Sequence, residues 1–228
     1  QLEGGAAESW KISGDDKTYR FVMRPNMLFA SGNPVTAQDA AFSLHRAVIL
    51  NKTPSFILTQ FGFTPENVEE KITFDGNTLT LNLDQPYAPS FVLNCLTAMI
   101  ASVVDKETVM ANVQGEDLGN TWLNTNEAGS GAFQLAAWRP NEAVQLTAYE
   151  DYYQGASEMK RVIVRNVAES SAQRLLLERI RVLLRRHQVQ RPQAYRLVGA
   201  PLAYEVPRLA VSDLLDDLAV DGTPMMAF

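Results

Sequence analysis

The sequence predicts an α+β fold in which mixed sheets pack against helices. Between residues 19 and 50 an alternating strand leads through a turn into a capped helix. Two alternating segments flank Gly76-Asn77 and two more flank Pro140-Asn141, which is the pattern of β-hairpins. With 228 residues, the chain is long enough for one large or two small domains with a hydrophobic core.

The first segment begins with a strand that has one apolar face. Tyr19, Phe21 and Met23 occupy every second position, so their side chains point to the same side of a strand. Pro25-Asn26 breaks this strand, and the sequence SGNP at residues 31–34 predicts a turn. The chain is therefore expected to reverse direction before the helix begins.

Thr36 occupies the position expected of a helix N-cap. Its hydroxyl can accept a hydrogen bond from the amide of Asp39, whose carboxylate can reach back to the backbone of Thr36, so the sequence TAQD predicts a capping box. Ala41, Leu44 and Val48 then recur at helical spacing. We expect a helix whose apolar face packs on the preceding strand.

Further elements are predicted along the rest of the chain. In order, they are a short helix running into a loop (54–63), a hairpin (68–75 and 78–84), a helix capped by Ser90 (91–97), a buried strand (98–104), a helix beginning at Asp105, a hairpin with Trp138 in the core (133–138 and 143–149), a strand (159–167), a helix capped by Ser170 or Ser171, and a short helix at 211–220. Leu79, Leu81 and Leu83 share one face of the first hairpin.

Two long strings resemble a known family. They are AESWKIS followed by YRFVMRPNMLFASGNPVTAQDAAFSL (7–13 and 19–44), and AGSGAFQLAAWRPNEAVQLTAYEDYY (128–153). Both are similar to the solute-binding proteins of oligopeptide and dipeptide ABC importers, the bacterial extracellular solute-binding proteins of family 5. The matching positions of the first string are Trp10, Phe21, Arg24, Pro25, Phe29, Gly32, Pro34, Thr36, Ala37, Asp39 and Ser43. The resemblance runs from about Ala7 to Glu178.

The resemblance implies part of a two-lobed periplasmic-binding-protein fold of type II, also called cluster C. Residues 1–100 would form the small lobe, which corresponds to domain II of the family. Residues 101–168 would supply part of the ligand-binding lobe, which corresponds to domain I. Residues 169–228 would be a divergent helical tail.

The resemblance also implies a ligand site. Ser130 lies between two glycines, which allow unusual backbone angles; the equivalent loop of the family faces the bound peptide at the hinge, although a plain turn before a strand would have the same sequence. Tyr152 matches a family aromatic near the peptide, although its ring could simply cover the end of a sheet. Asn126, in the preceding polar segment, is the third candidate. The family's third domain supplies the aspartate that pairs with the peptide's amino group, and no counterpart is found here.

The composition and the motifs of the sequence predict neither catalysis nor nucleic-acid binding. The net charge is −6, and no basic patch with interleaved aromatics appears in the first part of the chain. GxSxG, HExxH and Cys/His ligand spacing are absent, so we predict no enzyme, no metal site and no cofactor. His45 is expected to be a surface or packing residue, and the single Cys95 is expected to fill space in the interior.

The sequence changes character after Glu178. Residues 180–204 contain five arginines and no lysine, aspartate or glutamate. One hypothesis is a frameshift or gene remnant; sequencing the gene tests whether another reading frame restores the family's pattern. A basic amphipathic helix could instead contact RNA or a membrane, but a solvated face fits the acidic whole better.

Taken together, the resemblance implies the substrate-binding component, or a fragment of it, of an ABC transporter that imports peptides or related small solutes. Binding would proceed by lobe closure, without chemistry. The implied partners are a short peptide or similar solute and an ABC permease in the inner membrane, and the implied location is the periplasm, although a signal peptide is expected to be absent from this chain. The alternative is a ligand-incompetent remnant with an interaction role only. Homodimerisation through exposed apolar surface also remains open.

Overall fold

The computed structural model describes residues 3–166, 174, 175 and 177–179, together with the backbone of residues 226 and 227. The chain divides into two compact units. The first comprises Gln1–Gln134 and Tyr149–Ser157, and the second comprises Leu135–Ala148 and Glu158–Phe228. The cap predicted at Ser170 or Ser171, the helix predicted at 211–220 and the arginine-rich part of the tail lie outside the described residues. The described residues 174, 175 and 177–179 are helical, as expected for the helix after that cap.

The first unit contains a four-stranded antiparallel sheet. Its strands are β1 (Ala7–Ile12), β2 (Thr18–Met23), β3 (Ile72–Asp75) and β4 (Thr78–Asn82), in the order β1-β2-β4-β3. Tyr19 pairs with Leu81, and Phe21 pairs with Leu79, so their side chains share one face of the sheet. All four of these side chains are buried, which confirms the predicted apolar face of the strand and of the hairpin.

The first unit also contains helices, of which the first packs on the sheet through β3 and β4. They are α1 (Ala37–Leu50), α2 (Phe56–Thr59), α3 (Val68–Lys71), α4 (Pro89–Leu96), a 3-10 turn (Met99–Ala101), α5 (Lys106–Met110) and α6 (Asn120–Leu123). Leu44 and Val48 of α1 join the cluster that includes Tyr19, Phe29 and Phe61. The core of this unit is therefore built from α1, the sheet and the aromatic residues of the connecting loops.

The predicted capping box at the start of α1 is confirmed. The Asp39 amide donates to the Thr36 hydroxyl over 3.2 Å, and the Thr36 amide donates to the Asp39 carboxylate over 2.9 Å. These two bonds satisfy backbone donors that the first turn of a helix leaves unpaired. They fix where α1 begins and hence which of its side chains face the sheet.

The second sheet has the strand order β5-β6-β7-β8. Its strands are β5 (Phe133–Arg139), β6 (Ala143–Ala148), β7 (Arg161–Arg165) and β8 (Met226–Ala227), where β8 runs parallel to β7. The turn between β5 and β6 contains Asn141 at a φ of 61°, as the hairpin predicted at Pro140-Asn141 requires. Among the described helices, none has the length and apolarity needed to cross a lipid bilayer.

Two predicted strands are wrong. Residues 68–71 form α3 instead of the first half of a strand, with two acids in its first turn, where the helix dipole favours negative charge. No strand forms at residues 98–104; Met99–Ala101 form the 3-10 turn, and Met99 is 90% exposed. The Val104 amide donates to the hydroxyl of Ser43, 2.9 Å away, so this backbone is held by a side chain and not by a neighbouring strand.

Two predicted side-chain roles are also wrong. Ser90 does not cap α4, because the helix begins with Pro89 at its first position and Ala88 at the cap. Trp138 is 43% exposed and so is not a core residue. Its alternating position predicts one face of β5, but alternation does not determine what covers that face.

The expectation for His45 is confirmed, and that for Cys95 is confirmed only in part, because its side chain is half-buried and not fully interior. His45 is a packing residue, because its Nε2 donates to the carbonyl of Ile72 over 2.7 Å. Cys95 is half-buried against the core, where burial raises the pKa of its thiol and a hydrogen bond from Gln60 partly offsets that effect.

Candidate functional site

Residues 128–134, which we call the serine loop because they carry Ser130, are anchored to the turn at residues 29–33. The Ala30 amide donates to the carbonyl of Gly129 over 2.9 Å. Farther along, the Gln134 side-chain amide donates to the carbonyl of Ala30 over 3.4 Å. Ser130 itself is half-buried between these anchors. The loop is therefore held on both sides of the serine, by a backbone hydrogen bond before it and by a side-chain hydrogen bond after it.

The buried carboxylate of Asp105 stabilises the same turn by accepting hydrogen bonds from it. Asp105 is 1% exposed and accepts hydrogen bonds from the Ser31 hydroxyl at 2.6 Å and from the Asn33 amide at 3.0 Å. It also caps α5 through the Thr108 amide at 3.1 Å and accepts from the Thr108 hydroxyl. Burial acts to raise the pKa of Asp105, but these hydrogen bonds outweigh it and hold the pKa below its ordinary value.

Asp105 also reaches the serine loop through its backbone. Its amide donates to the carbonyl of Ala128 over 2.9 Å, two residues before Ser130. The neighbouring Lys106 amide donates to the carboxylate of Asp39 over 3.0 Å, which joins the start of α5 to the start of α1. The serine loop therefore rests on a polar network that begins at two helix N-termini.

Residues 149–153, which we call the tyrosine segment because they include Tyr152, are anchored to the same turn by a second buried contact. The hydroxyl of Tyr149 donates to the carbonyl of Phe29 over 2.8 Å, and the Tyr149 amide donates to Ala132 over 2.9 Å. Tyr152 follows three residues later and is half-buried. Burial is the largest cause that raises the pKa of its phenol, and the adjacent Tyr153 raises it further. Its phenol therefore stays protonated over the physiological range.

Asn126 is the most exposed of the three candidates. Its side-chain amide donates to the carbonyl of Trp122 over 2.9 Å and to the hydroxyl of Thr125 over 3.0 Å. These bonds close the end of α6, so the amide hydrogens are used locally. The side-chain oxygen of Asn126 cannot donate, which leaves it an acceptor role toward any solute.

The structure brings the segments of two of the three candidates together. The amide of Tyr149 and the carbonyl of Ala132 join the tyrosine segment to the serine loop, and both segments contact the turn at 29–33. Asn126 lies in the loop before them. Whether the three side chains touch a solute stays a prediction. Within the described residues, no group of three or more histidine, cysteine, aspartate or glutamate side chains is arranged to hold a metal ion.

Sequence reasoning missed two neighbours of the candidate site. Tyr153 stands edge-to-face with Tyr152, with ring centroids 4.8 Å apart. The guanidinium of Arg24 lies over the Tyr153 ring, 5.0 Å from its centroid. The two adjacent tyrosines can be recognised in the sequence. Nothing in the sequence indicates that Arg24, which is 129 positions before Tyr153, would contact the Tyr153 ring.

Solved structures define the class of fold to which this architecture belongs. The murein tripeptide binding protein MppA of Escherichia coli superposes with a TM-score of 0.58 at 28% identity, over 77% of this chain and 36% of that one. NikZ of Campylobacter jejuni, solved in complex with Ni(L-His), superposes with a TM-score of 0.60 at 23% identity, over 78% and 34%. The described fold is thus part of a type II periplasmic-binding-protein fold of the α+β class, as predicted.

The sequence comparison then identifies the family. The profile of the bacterial extracellular solute-binding proteins, family 5 (middle), matches residues 1–193. The probable D,D-dipeptide-binding periplasmic protein DdpA of Escherichia coli K12 is 31% identical over 178 residues, which are 78% of this chain and 32% of that protein. The chain belongs to family 5 of the extracellular solute-binding proteins. The match runs to residue 193 and so extends beyond Glu178, where the recognisable motifs end.

The chain spans about a third of the length of the curated relatives it matches. Those relatives include proteins named for D,D-dipeptides, for peptides in general and for heme. Their names describe those proteins. The segment that the family profile matches, residues 1–193, includes the capped helix, the serine loop and the tyrosine segment described above.

Proposed function

We propose that this chain is part of the substrate-binding component of an ABC transporter that imports peptides or related small solutes. The family match over residues 1–193 carries this proposal. In such a receptor, a solute is captured between two lobes, is enclosed by hinge closure and is handed to a permease in the inner membrane. The receptor would work in the periplasm, where relatives such as DdpA are named as residing.

We further propose that binding involves no bond making or breaking. The best-placed buried acids of the described residues, Asp39 and Asp105, each serve a helix N-terminus through backbone and hydroxyl hydrogen bonds. A carboxylate that already accepts several hydrogen bonds is a poor general base, because those bonds stabilise its charged form. The one described histidine, His45, is engaged with the carbonyl of Ile72.

Within this proposal, Ser130, Tyr152 and Asn126 are the solute contacts. Ser130 offers a hydroxyl held on an anchored loop, Tyr152 offers an apolar ring and a protonated hydroxyl, and Asn126 offers a side-chain oxygen. Such a set suits a short peptide, which carries both apolar side chains and polar backbone groups. The lobe boundaries at residues 100 and 168 belong to the same proposal.

Calorimetry with a library of di- to pentapeptides tests whether this chain by itself binds peptides. Because this chain spans about a third of the length of its curated relatives, we expect the 228-residue chain by itself to bind peptides weakly or not at all. Micromolar binding would contradict that expectation and would show that the described segments suffice for capture. Any measurable binding should weaken in the Ser130→Ala and Tyr152→Leu variants, and Asp75→Asn, on the exposed end of β3, is the matched control.

A hybrid receptor distinguishes the proposed importer function from the alternative hypothesis, a ligand-incompetent remnant with an interaction role only. Residues 1–193 of this chain, the segment that the family profile matches, would replace the corresponding segment of DdpA, and D,D-dipeptide binding would be compared with that of the parent. We expect a folded hybrid to bind a member of a dipeptide and peptide library at micromolar affinity. A folded hybrid that binds none of them would favour the remnant.

Homodimerisation through exposed apolar surface is a further part of the proposal. Phe56 is 63% exposed and Met99 is 90% exposed, and exposed apolar side chains that form a contiguous patch mark an interaction surface. Analytical ultracentrifugation over a hundredfold concentration range tests this directly. We expect a concentration-dependent dimer that the double variant Phe56→Ser, Met99→Ser abolishes, and a monomer at all concentrations would contradict it.

A further inference from the structure

Arg24 is fixed at the end of β2 by three hydrogen bonds. Its backbone amide donates to the carbonyl of Ala6 over 2.8 Å. Its guanidinium donates from Nε to the carbonyl of Gly5 and from Nη2 to the carbonyl of Gly4, both over 3.0 Å. Because a guanidinium is planar and its donors point in fixed directions, two such bonds determine the orientation of the whole group.

The oriented guanidinium holds the ring of Tyr153. Its central carbon lies 5.0 Å from the ring centroid, within the range of a cation–π contact. Tyr153 is also packed against the core of the first unit, and its hydroxyl accepts from the Gln154 side chain over 3.0 Å. The Tyr153 ring is therefore held by Arg24 over its face, by packing against the core and by Gln154 at its hydroxyl.

Tyr153 in turn limits the ring of Tyr152. The two rings meet at an interplanar angle of 66° with centroids 4.8 Å apart, the edge-to-face arrangement that aromatic pairs prefer. The backbone of Tyr152 is held separately, since its amide donates to the carbonyl of Tyr149 over 3.4 Å and its carbonyl accepts from the amide of Gly155 over 2.7 Å. What the backbone leaves free is the direction of the ring, and Tyr153 restricts that direction.

We propose that Arg24 is a positioning residue for Tyr152, acting through the ring of Tyr153. The charged side chain that ends β2 thereby sets the orientation of a proposed solute contact that it does not touch. The inference rests on the proposed function for the solute role of Tyr152, but the coupling from Arg24 to the Tyr152 ring can be measured without any solute.

The test is fluorine NMR on the 228-residue chain labelled with 3-fluorotyrosine. Tyr152→Phe and Tyr153→Phe assign the two resonances. Arg24→Met keeps an unbranched apolar stem and removes the guanidinium. Arg24→Lys restores a cation that can lie over the ring, and Arg20→Met is the matched control, because Arg20 is an exposed arginine on the same strand.

We expect Arg24→Met to move the Tyr152 and Tyr153 resonances toward the position of the free amino acid. Arg24→Lys should return both resonances most of the way to wild type, and Arg20→Met should leave them in place. A folded Arg24→Met protein whose Tyr152 resonance coincides with that of wild type would overturn the proposal. If Arg24→Met does not fold, Tyr153→Leu decides: loss of the intermediate ring must shift Tyr152, and an unshifted resonance overturns the proposal equally.

The hybrid receptor adds a solute measurement. There Arg24→Met should weaken solute binding about two- to fivefold, the change expected from losing one cation–π contact, while Arg20→Met leaves it unchanged. An unaltered affinity in the Tyr152→Leu hybrid would contradict the solute role of Tyr152 and hence the proposed site. That outcome can be distinguished from failure of the positioning inference, because the fluorine measurement contains no solute.

Discussion

Asp105 shows how much one side chain can organise. It is almost fully buried, yet its carboxylate accepts from the turn at 31–33 and from the first turn of α5. A buried carboxylate is tolerated only when hydrogen bonds replace its lost hydration. The serine loop depends on it indirectly, because the Asp105 amide holds the carbonyl of Ala128.

The first prediction concerns Asp105→Asn. The amide nitrogen would face the donors of Ser31 and Thr108, so we expect the free energy of unfolding at pH 7 to fall by about 1–3 kcal/mol, as when a buried polar group loses its partner. Urea denaturation monitored by circular dichroism measures this change. Asp75→Asn, an exposed acid, is the control and should change stability by less than about 0.5 kcal/mol.

The same residue predicts a pH dependence. The pKa of Asp105 lies below its ordinary value of 3.8, so the unfolded chain binds the proton more readily than the folded chain does. The stabilisation is therefore present above pH 4 and is lost as the pH falls through the lowered pKa. Stability of Asp105→Asn should fall less steeply than that of wild type below pH 4. Parallel curves would show that Asp105 does not contribute to acid unfolding.

Two glycines form a matched pair for a second prediction. Both Gly119 and Gly32 have positive φ, 71° and 90°, which disfavours side chains. A Cβ at Gly119 would lie 2.5 Å from a methyl carbon of Val109 and 3.0 Å from the Val109 carbonyl oxygen, whereas a Cβ at Gly32 would meet open space. We expect Gly119→Ala to cost about 1–3 kcal/mol more than Gly32→Ala in urea denaturation, from overpacking alone. Equal losses of stability in the two variants would show that the cost comes from the positive φ alone and not from the contact with Val109.

At the scale of elements, the caps determine where helices begin. Thr36 caps α1 with its side chain, and α1 packs on the sheet that forms the core. In α4 the serine near the start lies inside the helix and makes no cap bond. The same local sequence signal, a hydroxyl residue before an apolar run, therefore has two outcomes in this chain, and a preceding proline accounts for the second.

The third prediction compares these two positions. Thr36→Ala removes a capping bond and should lower the free energy of unfolding by about 1 kcal/mol. Ser90→Ala removes an exposed hydroxyl with no cap role and should change it by less than about 0.5 kcal/mol. Thermal unfolding followed by circular dichroism compares both with wild type. A larger loss for Ser90→Ala than for Thr36→Ala would contradict the assignment of the caps.

At the scale of the whole molecule, burial differs between the described strands. Tyr19 and Met23 of β2 are almost fully buried, whereas the residues of β5 and β6 are half-buried or exposed. Segments with few buried apolar contacts open locally at lower free energy. Stability should therefore be concentrated in the first unit, around β2 and α1.

The fourth prediction follows from this difference. Amide hydrogen exchange measured by mass spectrometry should be slowest in peptides covering 18–23 and 37–50, and at least tenfold faster in peptides covering 133–148, which corresponds to about 1.4 kcal/mol of opening free energy. Equal protection of the two regions would show that the second sheet is as stable as the core of the first unit.

Much of the fold could be predicted from sequence, because its signals are local. The alternation at Tyr19–Met23, the turn at Gly76-Asn77 and the capping box at Thr36 each depend on residues within a few positions of one another. The run at 98–104 was predicted wrongly for the opposite reason. Its backbone is held by Ser43, about 60 positions away, and no local pattern indicates such a partner.

The candidate site divides in the same way. Ser130 and Tyr152 were predicted from a family resemblance within a short string and Asn126 from the polar segment before it, and their solute contacts stay predictions. The sequence by itself determined the α+β class, the family and the start of α1, since each is written in neighbouring residues. Only the tertiary structure decided that Asp105 supports the serine loop and that Arg24 reaches Tyr153, because those contacts depend on how distant segments pack, which sequence neighbours do not encode.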